Sequence, residues 1–149
     1  MTAQENTMGS VRLQRSLTLP NDIETIPRLN EFIDTAAEET DLDPSLTMSL
    51  NLALEEAVVN VMNYAYPPGQ AGTVDIEMVV SDTSLVFVIS DAGRPFDPTQ
   101  AAEADTTLSA DERPIGGLGI YLVRQLMDDI RYERLDDRNV LTLTKRIRD

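Results

Sequence analysis

Hydrophobic positions change period along this chain, and each change marks an element. From Val11 to Leu19 apolar residues alternate (Val11, Leu13, Leu17, Leu19), which predicts a first strand. Ile23, Ile26, Leu29, Phe32 and Ile33 then recur at helical spacing up to about Thr40. Asn21 with Glu24 reads as the capping box of that helix, and Pro27 falls in its first turns, where proline is tolerated. A second helix follows the Asp41–Asp43 link: Asp43 can cap it, Pro44 suits its first turn, and Pro67, Pro68 and Gly69 stop it. Thr73 to Val80 and Leu85 to Ser90 read as strands joined by Ser81-Asp82-Thr83-Ser84. The second of them, LVFVI, is apolar on both faces and therefore belongs in the middle of a sheet. Residues 91–116 keep no steady period and contain Pro95, Pro98 and Pro114, which reads as a lid or binding loop. Gly117 to Met127 is predicted helical. Ile130 to Leu135 and Val140 to Ile147 form a closing hairpin across Asp136-Asp137-Arg138-Asn139. The fold class is α+β or mixed α/β, without repeats.

The second helix carries a polar stripe where a core face should be clean. At 100° per residue, Leu46, Leu50, Ala53, Leu54, Ala57, Val58 and Val61 make one broad apolar side. Ser49, Glu56, Asn60 and Asn63 fall together in a stripe roughly 60° wide, with Leu52 and Val59 on its other edge. Asn51 and Glu55 lie elsewhere, where a solvated face belongs. A carboxylate walled by apolar neighbours calls for a partner or a task, and such a stripe is what a ligand pocket needs. The plain alternative is a polar helix edge touching a loop, and the helix by itself leaves both open.

Composition narrows the chemistry. At 149 residues this is one domain with room for a sizeable core. Cysteine and histidine are both absent, which removes disulfides, thiolate or imidazole metal sites, Ser-His and Cys-His pairs, and phosphohistidine chemistry. No apolar run reaches membrane-spanning length, and the first ten residues, MTAQENTMGS, are polar. The expectation is a disordered tail over residues 1–10, a single domain over 11–149, and a cytoplasmic protein that binds no membrane. The net charge of −14 argues against direct nucleic-acid binding, which needs clustered positive charge. It does not exclude a nucleotide, since phosphate can be held by backbone N–H groups, a helix N-terminus and Mg²⁺. Lys145 is the sole lysine and no P-loop sequence occurs.

Two glycine-bearing segments bracket the long loop. Asp91-Ala92-Gly93-Arg94-Pro95-Phe96-Asp97-Pro98 begins where the central strand ends. An aspartate there can accept a hydrogen bond from an exocyclic amine, with Gly93 letting backbone approach a flat ring; taken alone, a plain turn with an Asp cap is the simpler reading of the segment. Gly116-Gly117-Leu118-Gly119 opens directly into Ile120-Tyr121-Leu122-Val123. Glycines at a helix start cost conformational entropy, and they make sense where backbone N–H groups must approach an anion. The spacing is not that of a dinucleotide-binding fingerprint.

Taken in order, Glu56-x-x-x-Asn60, Asp91-x-Gly93 with PFDP, and Gly116-Gly117-Leu118-Gly119 resemble the gyrase/histidine-kinase-type ATPase superfamily. More narrowly they resemble the bacterial anti-sigma factor serine protein kinases, from about Val11 to Lys145. The resemblance implies a two-layer α/β (α+β) sandwich, with helices on one face of a mixed, mostly antiparallel sheet, ATP between the helices, and a mobile lid. It implies that Asn60 ligates Mg²⁺ and that Glu56 is the general base for a substrate serine. It also implies that Asn63 lines the nucleotide site and that Asp91 bonds the adenine amino group with Gly93 and Pro95 beside it. Gly117, Leu118 and Gly119 would wrap the phosphates, and Arg94, Arg113 and Arg124 are candidates for offsetting γ-phosphate charge. Three departures stand out: Tyr64 where many relatives have histidine, Pro95 in place of a second glycine, and Arg138-Asn139 where Gly-Thr is common. Pro95 agrees with the anti-sigma subgroup, whereas the missing Gly-Thr leaves adenine-side hydrogen bonds to be found.

The implied function is an ATP- and Mg²⁺-dependent serine kinase that binds a sigma factor and phosphorylates a small anti-anti-sigma antagonist, which thereby switches partners. A homodimer is compatible with that pattern. The alternative, from another class, is a binding-only anti-sigma module that holds nucleotide without turnover.

Overall fold

The structure is a computed structural model and describes residues 10–67, 69–99 and 119–147. In chain order the elements are β1 (Val11–Pro20), a 3-10 turn (Ile23–Thr25), α1 (Ile26–Thr40), α2 (Pro44–Tyr64), β2 (Thr73–Ser81), β3 (Ser84–Asp91), α3 (Gly119–Leu126), β4 (Asp129–Leu135) and β5 (Arg138–Arg146). The strands form one sheet in the order β1-β2-β3-β5-β4, antiparallel at every pairing, and β3 lies in the middle as its two apolar faces require. This is the α+β architecture expected, with helices packed on one sheet face.

The core follows from the two periods. Val74, Ile76, Met78 and Val80 of β2, Leu85, Phe87 and Ile89 of β3, and Leu141 and Leu143 of β5 all point to the helices and are buried. Leu29 and Ile33 of α1, Leu50, Leu54 and Val58 of α2, and Ile120 and Val123 of α3 meet them. Each such side chain contributes about 1.5–3 kcal/mol by leaving water. On the opposite face Val79, Val86 and Val88 form a small cluster of their own.

Local chemistry sets the helix ends. The Asp43 carboxylate accepts the Ser45 N–H at 2.8 Å and Pro44 occupies the first turn, so α2 starts where the sequence says. α1 closes on Asp41 in the left-handed region (φ 55°), and the Leu42 N–H returns to the Ala37 carbonyl at 3.0 Å. The expected capping box does not form. Asn21 is drawn away, its N–H to the Gly72 carbonyl at 2.9 Å and its Nδ2 to the Gln70 carbonyl, while Asp22 caps the 3-10 turn by accepting the Glu24 N–H.

The closing hairpin is tighter than expected, and this reshapes the site. Asp136 (φ 50°) and Asp137 (φ 62°) both adopt the left-handed conformation, and Leu135 pairs with Arg138 across them. Two such residues complete a two-residue turn whose twist suits a hairpin. Arg138 and Asn139, read from sequence as turn, are therefore the first residues of β5. Asn139 sits in the ladder opposite Arg134 on one side and Asp91 on the other.

Candidate functional site

The polar stripe of α2 runs between the buried face of the helix and an exposed edge, since Leu52, expected as an apolar wall, is 43% exposed. Asn60 is 3% exposed, while Ser49, Glu56 and Asn63 are half-buried. Among the described residues the Asn60 side chain has no hydrogen-bond partner, and Glu56 has neither a hydrogen bond nor an ion pair. Among the described residues the buried side-chain polar atom without a partner is Asn21 Oδ1, so the Asn60 amide is not fully sealed and its bonding capacity stays open. Asn51 and Glu55, read as solvated, instead face α1. Asn30 Nδ2 donates to Asn51 Oδ1 at 2.9 Å and to Glu55 Oε2 at 3.3 Å, and Asn51 Nδ2 donates to Asp34. The helix thus keeps one polar edge for its neighbour and one unpartnered.

Asp91 ends β3 and is 1% exposed. Its Oδ1 accepts the Gly93 N–H at 2.8 Å and Asn139 Nδ2 at 3.0 Å. Its Oδ2 accepts from none of the described residues. Burial pushes the Asp91 carboxyl above the usual range, opposed by the Asn139 bond, the Gly93 N–H and the charges of Arg138 and Arg134.

The loop after Asp91 docks on the C-terminal end of α2, which is what brings the two segments together. Arg94 donates its backbone N–H to the Ala65 carbonyl and its Nε to the Tyr64 carbonyl, each at 2.8 Å. A Cβ on Gly93 would lie 2.3 Å from the Ala65 carbonyl oxygen, so close backbone approach to α2 accounts for the glycine without any ligand. The Tyr66 hydroxyl bonds the Thr73 carbonyl and receives the Ala92 N–H, tying β2 to the same loop. Tyr64 packs its ring against Phe96 with centroids 5.4 Å apart, and burial raises its phenol. Pro95 lies between these anchors and is exposed.

Asn139 is the residue that sequence reasoning notes only as a departure from Gly-Thr and gives no role. It is 4% exposed and bridges Asp91, the Arg94 carbonyl, the Phe96 N–H, Tyr132 and Arg134. Arg134 also donates to the Gly93 carbonyl at 2.9 Å. The signal was available: Asn139, Leu141 and Leu143 share one strand face, so an amide opens an otherwise apolar row.

Of the remaining candidates, Gly119 opens α3. Arg124 on α3 donates to the Thr99 carbonyl at 2.6 Å, so its guanidinium is engaged at the mouth of the long loop. Arg113, Gly117 and Leu118, with most of the expected lid, lie outside the described residues, as does the N-terminal tail up to residue 9.

The donor set suits Mg²⁺ held together with nucleotide phosphates. No cluster of three or more Asp or Glu side chains occurs among the described residues, so an all-protein cage for a cation is absent there. Mg²⁺ commonly takes one or two protein oxygens and completes its shell with water and phosphate, and the unpartnered Asn60 amide oxygen fits that role. Asp91 Oδ2 offers an acceptor to an exocyclic amine, the group that distinguishes adenine from guanine at the same ring position.

Comparison with known proteins identifies the family. Residues 19–145 match the family described as histidine kinase-like ATPase domain. A serine/threonine-protein kinase, BtrW of Bordetella bronchiseptica, is 33% identical over 99 residues, covering 66% of this chain and 70% of that protein. The serine-protein kinase RsbW of Bacillus subtilis is 32% identical over 88 residues, covering 56% of this chain and 55% of that protein. The matched stretch thus spans about half the length of the latter. A chain in the crystal structure of the SiaB-SiaC complex from Pseudomonas aeruginosa shares the fold, with a TM-score of 0.54, 16% identity, and coverage of 97% of this chain and 94% of that one. The fold, the order of its motifs and the match over residues 19–145 together place this chain in the histidine kinase-like ATPase domain family.

Proposed function

We propose that this chain is an ATP- and Mg²⁺-dependent serine protein kinase that also acts as an anti-sigma factor. It transfers the γ-phosphoryl group to a serine of a small anti-anti-sigma antagonist. The observation that carries the reading is that the Asn60 amide and Asp91 Oδ2, on residues only 3% and 1% exposed, bond to none of the described residues. The names of the relatives, serine-protein kinases in Bordetella and Bacillus, support the same class of reaction.

In this reading Asp91 Oδ2 accepts the adenine amino hydrogen, and Asn60 contributes an oxygen ligand to the cation. Asn63 and Gly119 border the phosphates, with Gly117, Leu118 and Arg113 expected to join them. Bound Mg²⁺ supplies charge neutralisation of the phosphates. Glu56, one turn before Asn60 on the same face, takes the proton of the substrate serine as its oxygen bonds to the γ-phosphorus, and ADP leaves with the bridging oxygen. Partner switching follows if sigma factor and antagonist compete for the kinase. A cytoplasmic setting suits such partners, and no helix among the described residues is long and apolar enough to cross a membrane.

The test is transfer of label from γ-labelled ATP to candidate antagonist domains by wild type, Glu56→Gln and Glu55→Gln. Glu56→Gln keeps size but not basicity and should slow transfer by ~10²–10⁴, with nucleotide binding retained. Glu55→Gln preserves the acceptor used by Asn30 and should leave the rate unchanged. Nucleotide and sigma-factor binding with no transfer by wild type would favour the binding-only module.

A further inference from the structure

Every hydrogen-bonding position of the Asn139 amide is taken. Its Oδ1 accepts from the Tyr132 hydroxyl at 2.6 Å, the Phe96 N–H at 3.1 Å and Arg134 Nη1 at 3.2 Å. Three donors aimed at one end of the amide determine which end is oxygen. The NH₂ end must then face Asp91 Oδ1 at 3.0 Å and the Arg94 carbonyl at 2.8 Å.

We infer that Asn139 is the positioning residue for base recognition: it grips Asp91 Oδ1 and the Arg94 carbonyl together, so that Asp91 Oδ2 stays turned toward the exocyclic amine of the nucleotide. The inference rests on the nucleotide-binding reading above and names the residue on which its base specificity depends. With Gly93 N–H and Asn139 both donating to Oδ1, the inner oxygen is saturated and only Oδ2 is left to accept. Asn139 thereby supplies from a side chain the base-side hydrogen bonding that the absent Gly-Thr leaves open.

The surroundings decide how the pair titrates. Arg134 and Tyr132 face it from β4, and Arg138 faces it from β5 while paired with Asp75 of β2 at 2.7 Å. The Tyr66 hydroxyl bonds the Ala92 N–H beside it. Among the groups that favour ionised Asp91 against the penalty of burial, Asn139 is foremost.

Asn139→Asp exchanges only the NH₂ for oxygen, so the bonds from Tyr132, Phe96 and Arg134 persist while a carboxylate is set against Asp91. Two facing carboxylates repel when both are charged and share a proton when the pH falls. Titrated with Mg²⁺-ADP at about pH 8, the variant should bind roughly 10–100-fold more weakly than wild type, the worth of a hydrogen bond to a charged group. On lowering the pH to about 5.5 one proton should bridge the pair and the gap should narrow, whereas wild type gains nothing from acid. Titration of the ADP phosphate is common to both proteins and cancels in their ratio. Equal affinities at both pH values would overturn the inference and leave the nucleotide reading standing; a wild type that binds no adenine nucleotide would overturn both. Should the variant not fold, wild type carries the test by NMR. The Asn139 side-chain amide signals should move on adding Mg²⁺-ADP and with the titration of Asp91, and signals unmoved by either overturn the inference.

Discussion

Asp91 and Asn60 are both buried polar side chains, 1% and 3% exposed, on neighbouring segments of the same site. Around Asp91 the protein has spent hydrogen bonds freely: Gly93, Asn139, Arg134, Tyr132 and Phe96 form one connected network. Around Asn60 and Glu56 it has spent none among the described residues. In the proposed function the difference separates two tasks. A base is read by a fixed direction, so its acceptor is held from behind. Cation, phosphates and an incoming serine arrive from outside, so the groups that meet them keep their bonding capacity open. In the proposed function the open bonding capacity of Asn60 and Glu56 is what the ligand would complete.

The comparison can be broken most forcefully at Gly93. Gly93→Ala forces a Cβ against the Ala65 carbonyl oxygen, backbone on both sides, and overpacking of this kind costs about 1–3 kcal/mol. Chemical denaturation should show that loss together with weakened nucleotide binding. A variant of wild-type stability would mean that the loop is not pinned to α2 as described.

Asp91→Asn is the next in size and sharpens the split between stability and recognition. An acid whose carboxyl is raised in the fold contributes stability present below its unfolded value, near 3.8, and lost as the pH rises through the folded value. Ionised Asp91 is therefore a burden at neutral pH, and its amide should melt at or above the wild-type temperature there, the difference shrinking toward pH 4. Adenine-nucleotide affinity should fall roughly tenfold or more, because an NH₂ then meets the exocyclic amine or the outer acceptor is lost. A joint loss of stability and affinity would make Asp91 structural instead.

Much of this was legible in the sequence for identifiable reasons. Alternation and helical spacing in long segments gave β1, α1, α2, β2 and β3, and Asp43-Pro44 fixed the start of α2 because capping is local. The stripe of Glu56, Asn60 and Asn63 was legible because helical geometry is rigid enough to carry direction over several turns. Asn21 was misread because a distant strand entry, Gly72, competed for its N–H. Asn139 was given no role because Asp136 and Asp137 accepted positive φ, shortening the turn and moving the amide into the ladder. Long-range pairing decided both, and local pattern does not encode it.

The claim that unpartnered polar groups are reserved for the ligand is tested most directly by calorimetric titration of ATP into wild type and Asn60→Ala, with and without Mg²⁺. The account predicts that Asn60→Ala loses roughly tenfold or more in Mg²⁺-ATP affinity, is unchanged toward metal-free ATP, and melts close to wild type because no internal bond is broken. Unaltered Mg²⁺-ATP affinity in the variant would contradict it.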